Sequence, residues 1–253
     1  MDLQLTGSRV LVTGGTRGIG RAIVEAFADE GAVVEFCARD AGEIETTEKA
    51  LTGRGGGVRG VRLDVRDGAA LTAWVAAAAD RLGGLDAVVA NVSALAIPES
   101  EENWYTSFEV DLMHTVRLAQ AALPYLEASS NGSIVAISSV SGREADFAAG
   151  PYGTMKTAIV GYISGLAFQL AERGVRANVV SPGNTYFDGG VWQQIEQGNP
   201  DLYAFAMGLN PTGRMGTPED SAKAVVFLSS PVSARTTGTH LVVDGALTRG
   251  IQL

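Results

Sequence analysis

The 253-residue chain, 46% hydrophobic and 19% charged, is long enough to bury one large core as a single domain over 1–253. Its formal charge of −9 argues against nucleic acid and anionic membrane surfaces as partners, because both select for basic patches, and leaves a small molecule as the expected ligand. Cys37 is the only cysteine and the two histidines are far apart, so no intrachain disulfide and no metal-ligand cluster is expected, and a reducing cytoplasm fits.

Met1 to Thr6 shows no positive-then-apolar leader, and no apolar run approaches the ~20 residues that span a bilayer, so a soluble, unsecreted protein is expected. The first strand is predicted near 9–13. It runs into Thr13-Gly-Gly-Thr-Arg-Gly-Ile-Gly20 and then into a helical pattern over 18–30. Glycines there let the backbone turn tightly and approach a pyrophosphate, whose charge is met by exposed N–H groups and the positive end of the helix dipole. A glycine-rich turn that follows a strand and opens a helix is the context in which this motif binds dinucleotides, which makes Gly14, Thr16, Arg17, Gly18, Ile19 and Gly20 candidate cofactor contacts. The Gly14-x-x-x-Gly18-x-Gly20 spacing resembles that of the short-chain dehydrogenase/reductase family.

A second strand, near 33–37, ends in Ala38-Arg39 where dinucleotide folds that favour NAD place an acid for the ribose 2′-hydroxyl. Arg17 and Arg39 would instead flank a 2′-phosphate as two guanidinium forks, so NADP(H) is expected rather than NAD(H). Asp40 competes for that role, but Asp40-x-x-Glu43 has the character of a capping box for a helix over 41–51. The glycine run 53–57 reads as an ordinary loop. A strand near 58–63 closes in Asp64-Val65, where the resemblance implies adenine contacts; the Asp64 side chain reads equally as a cap for a helix over 67–82. After a strand near 86–90 stands Asn91-Val-Ser93. The family usually has Asn-Asn-Ala-Gly there, so Asn91 is retained while Ser93 adds a side chain beside the cofactor.

A helix over 103–128 carries Asp111 where the family commonly has Asn, which is thought to hold a water linking the lysine to solvent. An ionised carboxylate only accepts hydrogen bonds; Asp111 could accept from that water, pair with His114, or be plainly structural. The strand 133–138 ends in Ser138-Ser139, and Tyr152-Gly-Thr-Met-Lys156 opens a helix over 152–173. Tyr and Lys at i and i+4 share a helix face, where the ammonium acts on the phenol and brings a group of ordinary pKa near ~10 toward useful acid–base range. The resemblance implies that Tyr152 donates the proton to a carbonyl oxygen, Ser139 hydrogen-bonds that oxygen, and Lys156 binds the nicotinamide ribose. Ser138 is the rival of Ser139, but adjacent strand residues point to opposite faces, and the family spacing to tyrosine selects Ser139.

A strand near 175–181 leads into Pro182-Gly183, which matches the family's turn over the nicotinamide; Thr185 is the candidate for a threonine that the family places nearer Phe187. Residues 183–217 show no clear strand and read as a substrate lid near 184–215 or as peripheral helices. A helix over 218–229 and a strand near 240–243 follow. The βα alternation predicts a single-domain doubly wound Rossmann fold, a seven-stranded parallel sheet with helices on both faces and ligands at the carboxyl ends of the strands. Gly213-Arg-Met-Gly-Thr-Pro-Glu219 and Val242-Val-Asp-Gly245 are also similar to 3-oxoacyl-carrier-protein reductases.

The expected activity is NADPH-dependent interconversion of a ketone and a secondary alcohol in a mostly apolar pocket. Charges at Arg143, Glu144 and Asp146 read as solvated loop charges before substrate contacts. Leu118 to Gly142 has no Lys or Arg, unlike the basic region that those reductases offer to an acidic carrier, so a free ketone, alcohol or steroid-like substrate ranks above a carrier-bound one. A non-catalytic NADP(H) sensor is the rival and would lack Ser, Tyr or Lys. Helices 103–128 and 152–173, the family's usual dimer-forming pair, imply a homotetramer or homodimer.

Overall fold

Apolar runs buried on both faces make the sheet, because a parallel strand covered by helices on each side has no polar face. The computed structural model describes residues 2–250. Strands β1 (Arg9–Thr13), β2 (Val33–Ala38), β3 (Val58–Arg62), β4 (Ala87–Ala90), β5 (Ser133–Ile137), β6 (Arg176–Pro182) and β7 (His240–Val243) pair in the order β3-β2-β1-β4-β5-β6-β7, and every pairing is parallel. The helices are α1 (Gly18–Asp29), α2 (Ala41–Ala50), α3 (Gly68–Leu82), α4 (Glu101–Ser107), α5 (His114–Glu127), α6 (Pro151–Leu170), α7 (Val191–Gly198), α8 (Pro200–Gly208) and α9 (Pro218–Ser229). This is the doubly wound Rossmann architecture that the alternation predicts.

Strand parity divides the core. Leu11, Val88 and Ile134 pack with Leu118, Ile159 and Ile163 on one side, whereas Val10, Val12 and Val135 pack with Ile23, Phe27 and Val225 on the other. Glu35 interrupts β2 yet is buried; it accepts from Trp74 Nε1 at 2.7 Å and from Arg81 Nη2 at 2.6 and 2.7 Å, which supplies the charge partner a buried carboxylate requires. Among the described residues no helix is long and apolar enough to cross a membrane.

The single helix expected over 103–128 is divided. Between α4 and α5 lies a π-helical segment, Phe108–Met113. His114 Nδ1 bonds Val110 O at 2.7 Å and Thr115 Oγ1 donates to Asp111 O at 2.8 Å, so side chains enter the backbone ladder there, a recognised cause of such irregularities. The stretch 183–217 contains α7 and α8, which gather Trp192, Ala206 and Met215 into a small cluster. A backbone bridge from Thr185 to Gly216 closes the base of this segment.

Of the two expected caps, one is corrected and one forms. Asp67, not Asp64, caps α3, its Oδ1 accepting from Ala70 N at 2.9 Å; Asp64 instead pairs with Arg66 at 2.6 Å. Asp40 does cap α2 by accepting from Glu43 N at 2.8 Å, but the box is half formed, because the Glu43 carboxylate takes a hydrogen bond from Thr16 Oγ1 at 2.7 Å.

Candidate active site

The carboxyl ends of β1 to β6 open into one cleft of about 660 Å³, the place where a doubly wound sheet presents its loops to a ligand. The glycine turn forms one wall. Gly14 and Gly18 have φ of +73° and +53°, a region that L side chains rarely adopt. A Cβ on Gly14 would stand 2.9 Å from Val92, and one on Gly20 would collide with the Gly14 carbonyl. Arg17, the N-cap of α1, makes no side-chain cap, so the first-turn N–H groups are left for an anion. A backbone cradle at an uncapped helix start fits a dinucleotide pyrophosphate.

Asn91 serves this cradle from behind. Its Nδ2 donates to Thr13 O at 3.0 Å and to Gly14 O at 3.2 Å, and its backbone N–H donates to Thr13 Oγ1 at 3.0 Å. The amide is therefore occupied in fastening the turn. Arg17, Arg39, Asp64 and Val65 line the cleft, together with Asp40 and Glu43. Glu43 is a residue that sequence reasoning missed as a site residue, since its capping-box position assigned it to backbone. The Arg66 guanidinium holds the Asp64 carboxyl below the usual range.

Ser93 Oγ accepts from Leu95 N at 3.2 Å. Leu95 adopts φ +49°, a strained conformation for a branched residue and one that clusters at ligand-binding loops. Pro182, Gly183 and Thr185 reach the cleft floor, but Thr185 Oγ1 donates to Gly183 O at 3.0 Å. Phe187 lies against the glycine turn, its ring 2.6 Å from where a Cβ on Gly18 would be.

Ser139, Tyr152 and Lys156 meet at the far end. Ser138 Oγ donates to Lys156 O at 2.8 Å and is spent on joining β5 to α6; Ser139 lies beside the phenol. Burial holds the Tyr152 hydroxyl above the ordinary tyrosine value, opposed by the Lys156 ammonium and the Ser139 hydroxyl and reinforced by the Asp111 and Asp146 carboxylates. Lys156 Nζ lies 5.6 Å from the Tyr152 ring centroid and donates to Ile137 O at 3.1 Å.

The expected alternative pairing of Asp111 with His114 does not form. Asp111 Oδ1 lies 3.2 Å from Lys156 Nζ, both side chains being within 2% of full burial, and Oδ2 accepts from Ala94 N at 3.3 Å. Oδ1 has no aligned hydrogen bond, so the contact is an ion pair. His114 turns away. With Nδ1 donating to Val110 O, its Nε2 faces Thr13 Oγ1 at 3.1 Å. Burial pushes the imidazole down to about 4, so at neutral pH Nε2 accepts from that hydroxyl.

A Rossmann sheet whose glycine turn, serine-ended strand and Tyr–Lys helix share one cleft defines a class, the α/β oxidoreductases. The family described as enoyl-(acyl carrier protein) reductase matches residues 14–248. Isoepoxydon dehydrogenase of Penicillium expansum is 37% identical over 98% of this chain and 97% of its own length, and L-fucose dehydrogenase of Mus musculus is 36% identical over 98% and 90%. A 3-oxoacyl-[acyl-carrier protein] reductase from Brucella melitensis, solved with bound NAD, superposes with a TM-score of 0.84 at 29% identity, covering 97% of this chain and 92% of that one. The chain belongs to the short-chain dehydrogenase/reductase family and is an oxidoreductase of that type.

Proposed function

We propose that the protein is an NADPH-dependent reductase that interconverts a ketone and a secondary alcohol on a small free substrate, with Tyr152 as the proton donor. The observation that carries this reading is the convergence of Ser139, Tyr152 and the buried Lys156 in the cleft that also holds the glycine cradle. Gly14, Thr16, Gly18, Ile19 and Gly20 would hold the pyrophosphate, Arg17 and Arg39 the 2′-phosphate, Asp64 and Val65 the adenine, Asn91 and Ser93 the adjoining wall, and Pro182, Gly183 and Thr185 the nicotinamide end. When bound, the reduced nicotinamide supplies the hydride.

The chain's own residues manage the proton. Ser139 Oγ hydrogen-bonds the substrate carbonyl, Tyr152 donates its hydroxyl proton to that oxygen, and Lys156 favours the phenolate left behind. Asp111 draws on the same ammonium and so weakens its effect on the phenol. In Asp111→Asn the phenol should titrate lower. For alcohol oxidation, which needs the phenolate, the rising limb of the kcat/KM profile should move to lower pH; superimposable profiles for the two proteins would refute the coupling.

The two arginines support NADPH over NADH, since a 2′-phosphate is recognised by guanidinium forks. Initial rates over a carbonyl panel should be higher with NADPH, and Arg39→Ala should raise the KM for NADPH by about tenfold or more while barely altering that for NADH, as expected for loss of one charged hydrogen bond. Faster turnover with NADH in the unsubstituted protein would reverse this assignment. The Brucella relative with bound NAD is the reason to measure both. A cytoplasmic location and a homo-oligomer belong to the same reading; the oligomer is supported by Tyr105 on α4 and Phe168 on α6, which are 66% and 87% exposed, and the segment carrying α7 and α8 would cover the substrate.

A further inference from the structure

Asp146 lines the same cleft as Ser139 and Tyr152, and neither proton transfer nor cofactor binding uses it. Its carboxylate is fixed at both oxygens. Oδ1 accepts from Ala148 N at 2.8 Å and Oδ2 from Ser141 Oγ at 2.7 Å. The Ser141 N–H donates in turn to Ser139 Oγ at 3.1 Å, so two hydrogen bonds connect this carboxylate to the serine beside the phenol. Its field reaches the Tyr152 hydroxyl and helps to raise it. The charge is therefore near the reacting centre and held in one place.

Asp146 is itself exposed at the cleft, whose lining also includes the apolar Leu95, Ile97, Val140, Phe147, Val191 and Trp192, with Phe147 and Trp192 in edge-to-face contact at 5.9 Å between ring centroids. A wholly apolar substrate docked here would strip water from the carboxylate and return nothing, which is unfavourable. A hydroxyl would restore a charge-assisted hydrogen bond. An ionised carboxylate only accepts, with about four lone-pair sites on its two oxygens, and protein donors take one on each oxygen.

We propose that the site selects substrates carrying a second hydroxyl close to the reacting carbon, a hydroxy-ketone and the corresponding diol, and that Asp146, held by Ser141, is the acceptor for that hydroxyl. The inference rests on the reading of Ser139 and Tyr152 as the reacting end of the cleft. It replaces an evenly apolar pocket with an apolar one that has a single anionic acceptor. Apolar walls then contact the ring or chain of the substrate, and Asp146 sets which face and which carbon approach Tyr152.

Binding of a vicinal cyclohexanediol and of cyclohexanol to the protein saturated with reduced cofactor, a combination that cannot react, tests this without turnover. Calorimetric titration should give about tenfold tighter binding of the diol, the worth of one hydrogen bond to a charged group. Asp146→Ala should abolish that preference, with cyclohexanol bound at least as tightly as in the parent because the desolvation cost of the carboxylate is gone, and Asp146→Asn, which keeps the shape and an acceptor but not the charge, should reduce the preference. Equal affinities in the unsubstituted protein, or a diol preference surviving in both variants, would overturn the inference. Cyclohexanone reduction is scored separately: turnover without diol preference refutes this inference alone, and diol preference without turnover of any ketone refutes the reductase reading alone.

Discussion

Tyr152→Phe should lower kcat/KM for ketone reduction by about a hundredfold to ten-thousandfold, the usual contribution of a positioned general acid. The substitution deletes one hydroxyl and retains the ring, so the contact of Lys156 Nζ with that ring, 5.6 Å from its centroid, is kept. Cofactor affinity, read by fluorescence titration, should change little. An equal loss in kcat and in kcat/KM would identify an interaction made in the transition state rather than in binding. A variant that keeps near-normal reductase activity on a good substrate would remove Tyr152 from the mechanism.

Lys156→Met should cost about 3–5 kcal/mol of folding stability in addition to activity. The ammonium is the charge partner of Asp111, and both side chains are buried; removing one member of such a pair leaves an uncompensated charge in a poorly polarisable interior. For a chain of this size that corresponds to a fall in Tm of about 6–20 °C. Adding Asp111→Leu should return most of the stability, because an apolar replacement of a buried pair is often neutral or better, yet it should return no activity. Denaturation of the two single variants, the double and the parent gives the coupling directly. A Lys156→Met protein as stable as the parent would mean that the pair contributes nothing to the fold.

These two results bear on different parts of what the sequence reveals. The strands are legible because runs such as Val10-Leu-Val12 and Ile134-Val-Ala136 have no polar face, and only a sheet covered on both sides accommodates them. Once the order of strands and helices is read, the candidate site is legible too, since the glycine turn and Ser139 follow strand ends and Tyr152 stands in the first turn of the next helix, α6. Pairings within the site are less so. In sequence His114, one turn on, is the obvious partner of Asp111, whereas the ion pair with Lys156 joins residues far apart along the chain; His114 is instead turned into the backbone ladder of the π-helical segment, as is Thr115. Nothing in Phe108-Glu-Val-Asp-Leu-Met113 distinguishes that segment from an ordinary helical turn.

Short and long-range features are the remainder. The helices α7 and α8 have eight and nine residues, too few for a periodic pattern to separate them from a loop. Glu43 has the right position to close a capping box, and only the approach of the glycine turn brings Thr16 close enough to claim its carboxylate. Asp146 reads as a solvated loop charge and is exposed in the structure; only the fold shows that the loop after β5 also sets it along the cleft. In each case the deciding partner lies far along the chain or depends on a local backbone irregularity.

The central claim is that this cleft carries hydride to a carbonyl carbon while Tyr152 protonates the oxygen. Its most direct test is to supply NADPH bearing deuterium at the transferable position of the nicotinamide together with a hydroxy-ketone, and to analyse the alcohol by mass spectrometry. One deuterium per product molecule on the carbinol carbon, with the transfer abolished or slowed by at least a hundredfold in Tyr152→Phe, is the predicted result. Deuterium that remains on the cofactor, or a labelled alcohol formed as fast without the Tyr152 hydroxyl as with it, would contradict the account.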